Sequence, residues 1–179
     1  KPVRTESEVR MMGYAYAIFD REKNTFEDWG LRLLSVSIPL PTAQIITVSI
    51  PGGGLLDLSE VLTGQVNFNA RTVTLTFDVL NAYDDWPELI TNISNYLHGR
   101  IRTLVLDNDT GFYYSGRFAV DTSKTDEATT TVVITGTVDP YKYDAELTEI
   151  ALAVAGSAAI LLYGSRMPVV PIITASVVM

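Results

Sequence analysis

The chain has no cysteine among its 179 residues. This removes disulfides, thiolate zinc sites and thiol nucleophiles together. It fits a reducing compartment without requiring one. Histidine is nearly as scarce, since His98 is the only one. A Ser-His-Asp device would have to use it, and no Gly-x-Ser-x-Gly elbow accompanies it. A His-Glu-x-x-His zinc site needs two histidines. Basic residues are outnumbered, 13 Lys plus Arg against 21 Asp plus Glu, for a net charge of -8. No Lys/Arg cluster could neutralise a run of phosphates, which argues against tight nucleic-acid binding. An acidic surface keeps a protein soluble, and it also repels DNA, as a wall past which DNA slides would. Both readings fit the composition.

Long apolar runs are missing as well. Residues 150–163 come nearest, but they fall short of the ~20 needed for a membrane helix. Gly156 and Ser157 bisect them, and Pro168 and Pro171 interrupt the stretch beyond. Strands or an extended arm are the expectation there, with no membrane span. Residues 1–10 are polar and charged without an apolar core, so they are read as a flexible extension and not as a signal peptide.

What is present is a globular composition, 47% hydrophobic. A domain of this size buries roughly 70% of its unfolded surface and needs no staple. Residues 85–99 are the best-marked element. Trp86, Leu89, Ile90, Ile93, Tyr96 and Leu97 recur at the spacing of one helical face. Asp85 is placed to cap the first amides, Pro87 lies in the first turn, and Glu88 completes an Asp-x-x-Glu box. Gly99 supplies a left-handed stop. His98, in the last turn, is favourably placed against the helix dipole.

Elsewhere the pattern reads as strands. Tyr14, Tyr16, Ile18, Phe26 and Trp29 form an aromatic N-terminal strand and turn. Residues 31–38 are a short strand ended by Pro39 and Pro41. Residues 45–50 are an apolar run stopped by a Pro51-Gly-Gly-Gly turn or open loop. In residues 66–79, Val73, Leu75, Phe77 and Val79 alternate with polar positions, which marks a half-buried strand. Residues 101–106 and 112–120, around a turn at 107–111, read as a hairpin. Residues 128–138 return as another strand.

Several constellations have an ordinary explanation. Asp107, Asp109 and Gly111 resemble the start of a calcium loop, but Gly111 and Phe118 stand where oxygen ligands are required. A hairpin turn accounts for them. Asp84 and Asp85 could form a carboxylate pair, yet capping already explains Asp85. The three glycines at 52–54 precede neither Lys-Ser/Thr nor a helix, so they cradle no phosphate. Tyr141, Lys142 and Tyr143 are too few to mean nucleic acid. No catalytic, cofactor or metal residue is assigned, and the protein is not read as an enzyme.

The order of landmarks resembles the N-terminal domain of siphophage distal tail proteins, the phage tail component family. The matching pieces are Gly13 to Tyr16, Asp28 to Leu31, Val48 to Asp57, Leu62 to Gly64, Arg71 to Phe77, the helix from Trp86 to Gly99, Tyr114 to Gly116, and Asp139 to Tyr143. Together they cover residues 11–144. The resemblance implies a mainly β domain with one packed α-helix (α+β), an antiparallel β-sandwich or split barrel. It implies a homo-oligomer, a hexameric ring at the virion tail tip of a phage or prophage, made in the host cytoplasm. That ring would join the tail tube protein to the tail-tip hub protein and pass the tape measure protein and DNA. A second β domain that helps carry receptor-binding protein commonly comes after it. Gly164 to Pro171 resemble the entry into that domain, and residues 145–179 are read as apolar strands or an arm that begin a truncated one.

Leu75, Phe77, Ile90, Ile93 and Leu97 are expected in the core between sheet and helix. Tyr14, Tyr16, Ile160 and Leu162 are expected at an intersubunit surface. Two other readings compete. A carbohydrate-binding β module would use the Tyr-rich segment at 112–114, and a tail tube protein would share the fold.

Overall fold

A computed structural model of the protein describes residues 15–61, 64–121 and 131–146. Contacts divide the chain after Glu146, and every described residue belongs to the first unit. The region is mainly antiparallel β with two helices. Its strands are β1 (Ala17–Phe19), β2 (Lys23–Asn24), β3 (Leu31–Ser37), β4 (Thr47–Ser49), β5 (Leu55–Asp57), β6 (Arg71–Val79), β7 (Ile101–Leu106), β8 (Phe112–Asp121), β9 (Thr131–Val138) and β10 (Tyr143–Asp144). The helices are α1 (Thr25–Trp29) and α2 (Trp86–Leu97).

Eight strands form one sheet in the order β2-β1-β7-β8-β9-β6-β3, with β10 also paired to β8. The path is open, but the Leu33 N–H donates to the Ala15 carbonyl at 2.9 Å. The chain just ahead of β1 thus touches the far edge strand, and the fold is the mainly antiparallel α+β one, sandwich or split barrel, that the resemblance implies. β4 and β5 pair only with each other, as a separate two-stranded ribbon.

Alternation sets the core. In β6, Val73, Leu75, Phe77 and Val79 are buried, and the first three face Gly136, Ile134 and Val132 of β9 in register. Trp86, Leu89, Ile93 and Leu97 bury one stripe of α2, while Ile90 packs half-buried against the same cluster. Helical period and burial therefore coincide. Phe118 of β8 meets Phe19 edge-on, with ring centroids 5.1 Å apart.

Two local expectations are corrected. Asp85 makes no side-chain cap bond: a 3-10 turn at Tyr83–Asp85 runs into α2 and holds Asp85 in helical dihedrals (φ -87°, ψ -10°). An N-cap side chain reaches the free amides from extended backbone, which Asp85 lacks. Gly99 does lie left-handed, at φ 71°. The turn expected around Phe26 and Trp29 is the short helix α1. Asn24 caps it in extended backbone, its Oδ1 accepting from Phe26 N–H at 2.9 Å and Glu27 N–H at 3.3 Å. Left-handed Gly30 ends it.

Asp20 and Arg21 are non-glycine residues with positive φ, 52° and 57°, in the turn after β1. A polar cluster holds that turn. Asp20 Oδ2 accepts from Tyr96 Oη at 2.9 Å and Arg102 Nη1 at 2.7 Å, while Oδ1 accepts from Thr103 N–H at 2.9 Å. The Arg102 guanidinium also lies 4.2 Å from the Tyr96 ring centroid. Burial alone would raise the Asp20 pKa, but the Thr103 amide, the Tyr96 hydroxyl and Arg102 together hold it below 3.8. Burial and the Asp20 carboxylate push the Tyr96 hydroxyl up to about 12.

Candidate assembly surface

The β4–β5 ribbon carries the largest gathering of exposed aliphatic side chains among the described residues. Its turn closes by Ile50 N–H to the Gly54 carbonyl at 3.2 Å and Gly53 N–H to the Ile50 carbonyl at 2.9 Å. Gly52 supplies the left-handed residue, φ 78°. Val48 stands directly opposite Leu56. Side chains alternate along a strand, so Ile46, Val48, Ile50 and Leu56 share one face, and Thr47, Ser49, Leu55 and Asp57 the other. Val48 and Leu56 are 48% and 47% exposed, and Leu55 reaches 73%.

The base of the ribbon is fixed by polar contacts. Ser59 Oγ accepts from Ile46 N–H at 2.9 Å, and Asp57 Oδ1 accepts from Ser59 N–H at 2.9 Å. The Ser59 hydroxyl and amide hold the Asp57 carboxyl below its ordinary range. Gln44 N–H and Asn69 N–H bond to the Asn67 and Thr42 carbonyls at 2.8 Å each, anchoring the approach to β4. A two-stranded ribbon alone is marginal in water, and one with an apolar face gains stability when that face is covered.

β3 ends the strand order, and after an irregularity between Leu33 and Ser35 its residues are exposed, including Leu34 and Val36. Leu33 N–H already donates to the Ala15 carbonyl on this side; beyond it the described residues place no further strand against β3, and such an edge can accept one. The opposite edge strand, β2, has only two residues, Lys23 and Asn24.

The Tyr-rich segment at the start of β8 is already engaged. Tyr113 stacks on Tyr143 with centroids 5.3 Å apart, and Arg21 lies 5.8 Å from the Tyr113 ring. Lys142 covers Phe112 at 3.9 Å and pairs with Asp109 at 2.8 Å. Sugar stacking calls for a free ring face; a cation already covers one face of Phe112, a ring covers one face of Tyr143, and Tyr113 meets both a ring and a cation. Burial and the bond to Asp139 raise the Tyr143 hydroxyl pKa.

The expected surface residues separate. Tyr16 is 5% exposed, buried in the chain's own fold, which corrects its assignment to an intersubunit surface. Its aromatic character marked burial and could not say against what. Tyr14, Ile160 and Leu162 lie outside the described residues. His98 Nδ1 accepts from Val120 N–H at 3.2 Å, tying the end of α2 to β8. Asp84 and Asp85 are both exposed. Among the described residues no three His, Asp or Glu side chains gather as a metal site. Among the same residues no helix is long and apolar enough to cross a membrane, which leaves strands out of account.

An open antiparallel β domain with one well-packed helix and a projecting apolar ribbon defines the class. No protein-family model matches the chain, and no curated protein matches it. Among solved structures it is similar to Dit of phage SPP1, described as a paradigm of the hub adsorption apparatus in phages infecting Gram-positive bacteria. The TM-score is 0.56 at 16% identity, over 74% of this chain and 53% of that one. The shared property is the fold, the one expected for a distal tail protein, and this chain spans about half the length of the SPP1 protein.

Proposed function

We propose that this protein is a structural subunit of a phage or prophage tail tip, acting by self-association and not by catalysis. The exposed apolar face of the β4–β5 ribbon carries the reading. Ile46, Val48, Ile50 and Leu56 are held in order by a pinned base yet stay open to water, and a neighbouring copy would cover them. The part of the β3 edge beyond Leu33 offers a second contact of the kind that strand addition uses. A contact between two different surfaces, repeated around an axis, closes into a ring.

The fold shared with SPP1 Dit supports placing that ring in the hub region of a tail. There a hexamer would join the tail tube to the tail-tip hub, with a lumen for the tape measure protein and DNA. The test is mass in solution, by light scattering coupled to size exclusion, over a range of concentrations. A hexamer, or a concentration-dependent shift towards one, is expected. Long tubes seen by electron microscopy would favour a tail tube protein, and a monomer at every concentration would sink the ring.

A further inference from the structure

Pairing within the β4–β5 ribbon fixes where its remaining backbone groups point. Leu58 N–H donates to the Ile46 carbonyl at 2.8 Å, and Ile50 N–H to the Gly54 carbonyl at 3.2 Å. Facing residues of an antiparallel pair alternate between bonded and non-bonded positions. Val48 and Leu56 face each other midway between those two bonds, so their backbone groups turn inward. Thr47 and Ser49 on β4, and Leu55 and Asp57 on β5, turn theirs outward. Among the described residues no other strand pairs with either edge.

Both edges lack the features by which strands avoid unwanted pairing. Elsewhere those features are present. Edge strand β2 has only two residues, one of them Lys23. β3 is irregular between Leu33 and Ser35, and Pro39 and Pro41 follow it. In contrast, no residue between Arg32 and Asp57 is charged, and no proline lies inside β4 or β5. Asp57, at the base of β5, has its carboxylate engaged by Ser59 N–H. Outward amides and carbonyls in regular order are chemistry that another strand satisfies.

We propose that β4 of one copy pairs edge to edge with β5 of the next, joining the ribbons into one intermolecular sheet. The inference rests on the ring reading and deepens it by naming the contact. Copies related by rotation about one axis hold their ribbons pointing the same way. β4 of one and β5 of its neighbour then run antiparallel, as the two strands do within each ribbon. The two edges differ, so the contact is heterologous and repeats until the ring closes, which leaves neither edge unpaired. Aliphatic side chains of the joined strands flank one another on the same face.

Proline at an outward position removes one edge N–H and leaves the ribbon's own bonds in place. Ser49→Pro therefore blocks the β4 edge, and Leu55→Pro the β5 edge. Light scattering of the full chain is expected to show each variant monomeric at concentrations where wild type assembles. Ser49→Ala keeps the amide and should assemble like wild type. An equimolar mixture of the two proline variants should form dimers and nothing larger, because it holds one intact edge of each kind. A mixture that stays monomeric, or either proline variant assembling alone, overturns the edge pairing. The ring reading survives that result if wild type assembles and Val48→Asp/Leu56→Asp does not. A wild type that is monomeric at every concentration overturns both.

Discussion

Arg102 Nη1 lies 2.7 Å from Asp20 Oδ2, joining β7 to the left-handed turn after β1. Tyr96 of α2 donates to the same carboxylate oxygen. One acidic side chain thereby locks a turn, a helix and a strand together, and it does so as the anion.

The first prediction concerns acid. The folded pKa of Asp20 is lowered from 3.8. Its stabilisation is therefore complete above the ordinary carboxylate value and is lost as pH falls from there through the lowered folded value. Asp20→Asn keeps the tolerance for positive φ but removes the charge. It should cost about 1–3 kcal/mol at neutral pH, with the gap to wild type narrowing in acid. Thermal melts from pH 7 down to about 2.5 check this, and a constant gap would refute it.

Tyr96 makes the opposite prediction at alkaline pH. Its hydroxyl is raised from 10.0 to about 12, so its contribution is whole below the ordinary tyrosine value and fades as pH rises through the folded one. Phenolate absorbance should include a late step from Tyr96, beside that of the also raised Tyr143, and Tyr96→Phe should remove one tyrosine's worth of late absorbance. A variant that instead loses a step near the ordinary value would show that the Asp20 bond does not persist in solution.

Gly136 of β9 and Phe118 of β8 are predicted to be coupled. A Cβ on Gly136 would meet Phe118 Cε1 at 2.4 Å, and Phe118 is almost fully buried. Gly136→Ala should therefore destabilise by about 1–3 kcal/mol through overpacking. Phe118→Leu, harmful alone, should recover part of that loss in combination. Denaturant melts of the four chains close the cycle, and simple additivity would count against the contact.

Period made some of this legible from the sequence. Val73, Leu75, Phe77, Ile93 and Leu97 are buried because the side on which they recur is the side that packs. Where geometry depended on neighbours, pattern misled. Asp85 looked like a cap until the 3-10 turn fixed its dihedrals. Helix α1 was too short to show a period, although Asn24, Glu27 and Gly30 carried its start and stop. Asp20 and Arg102 are 82 positions apart, and no local pattern links them. The ribbon was hidden for another reason. Hydropathy marks residues 45–50 as apolar but cannot say whether a second layer covers them.

That uncovered face gives the last prediction. Val48 and Leu56 stand opposite each other on the apolar side of the ribbon, and Thr47 and Ser49 project from the other side. Val48→Asp with Leu56→Asp should abolish self-association and cost the ribbon itself about 1 kcal/mol, because the two carboxylates stand directly opposite each other. Thr47→Asp with Ser49→Asp adds the same charge to the opposite face and should leave association intact. Light scattering at matched concentrations separates the two variants. If both abolish association equally, repulsion by added charge is the cause, and the apolar face is not the contact.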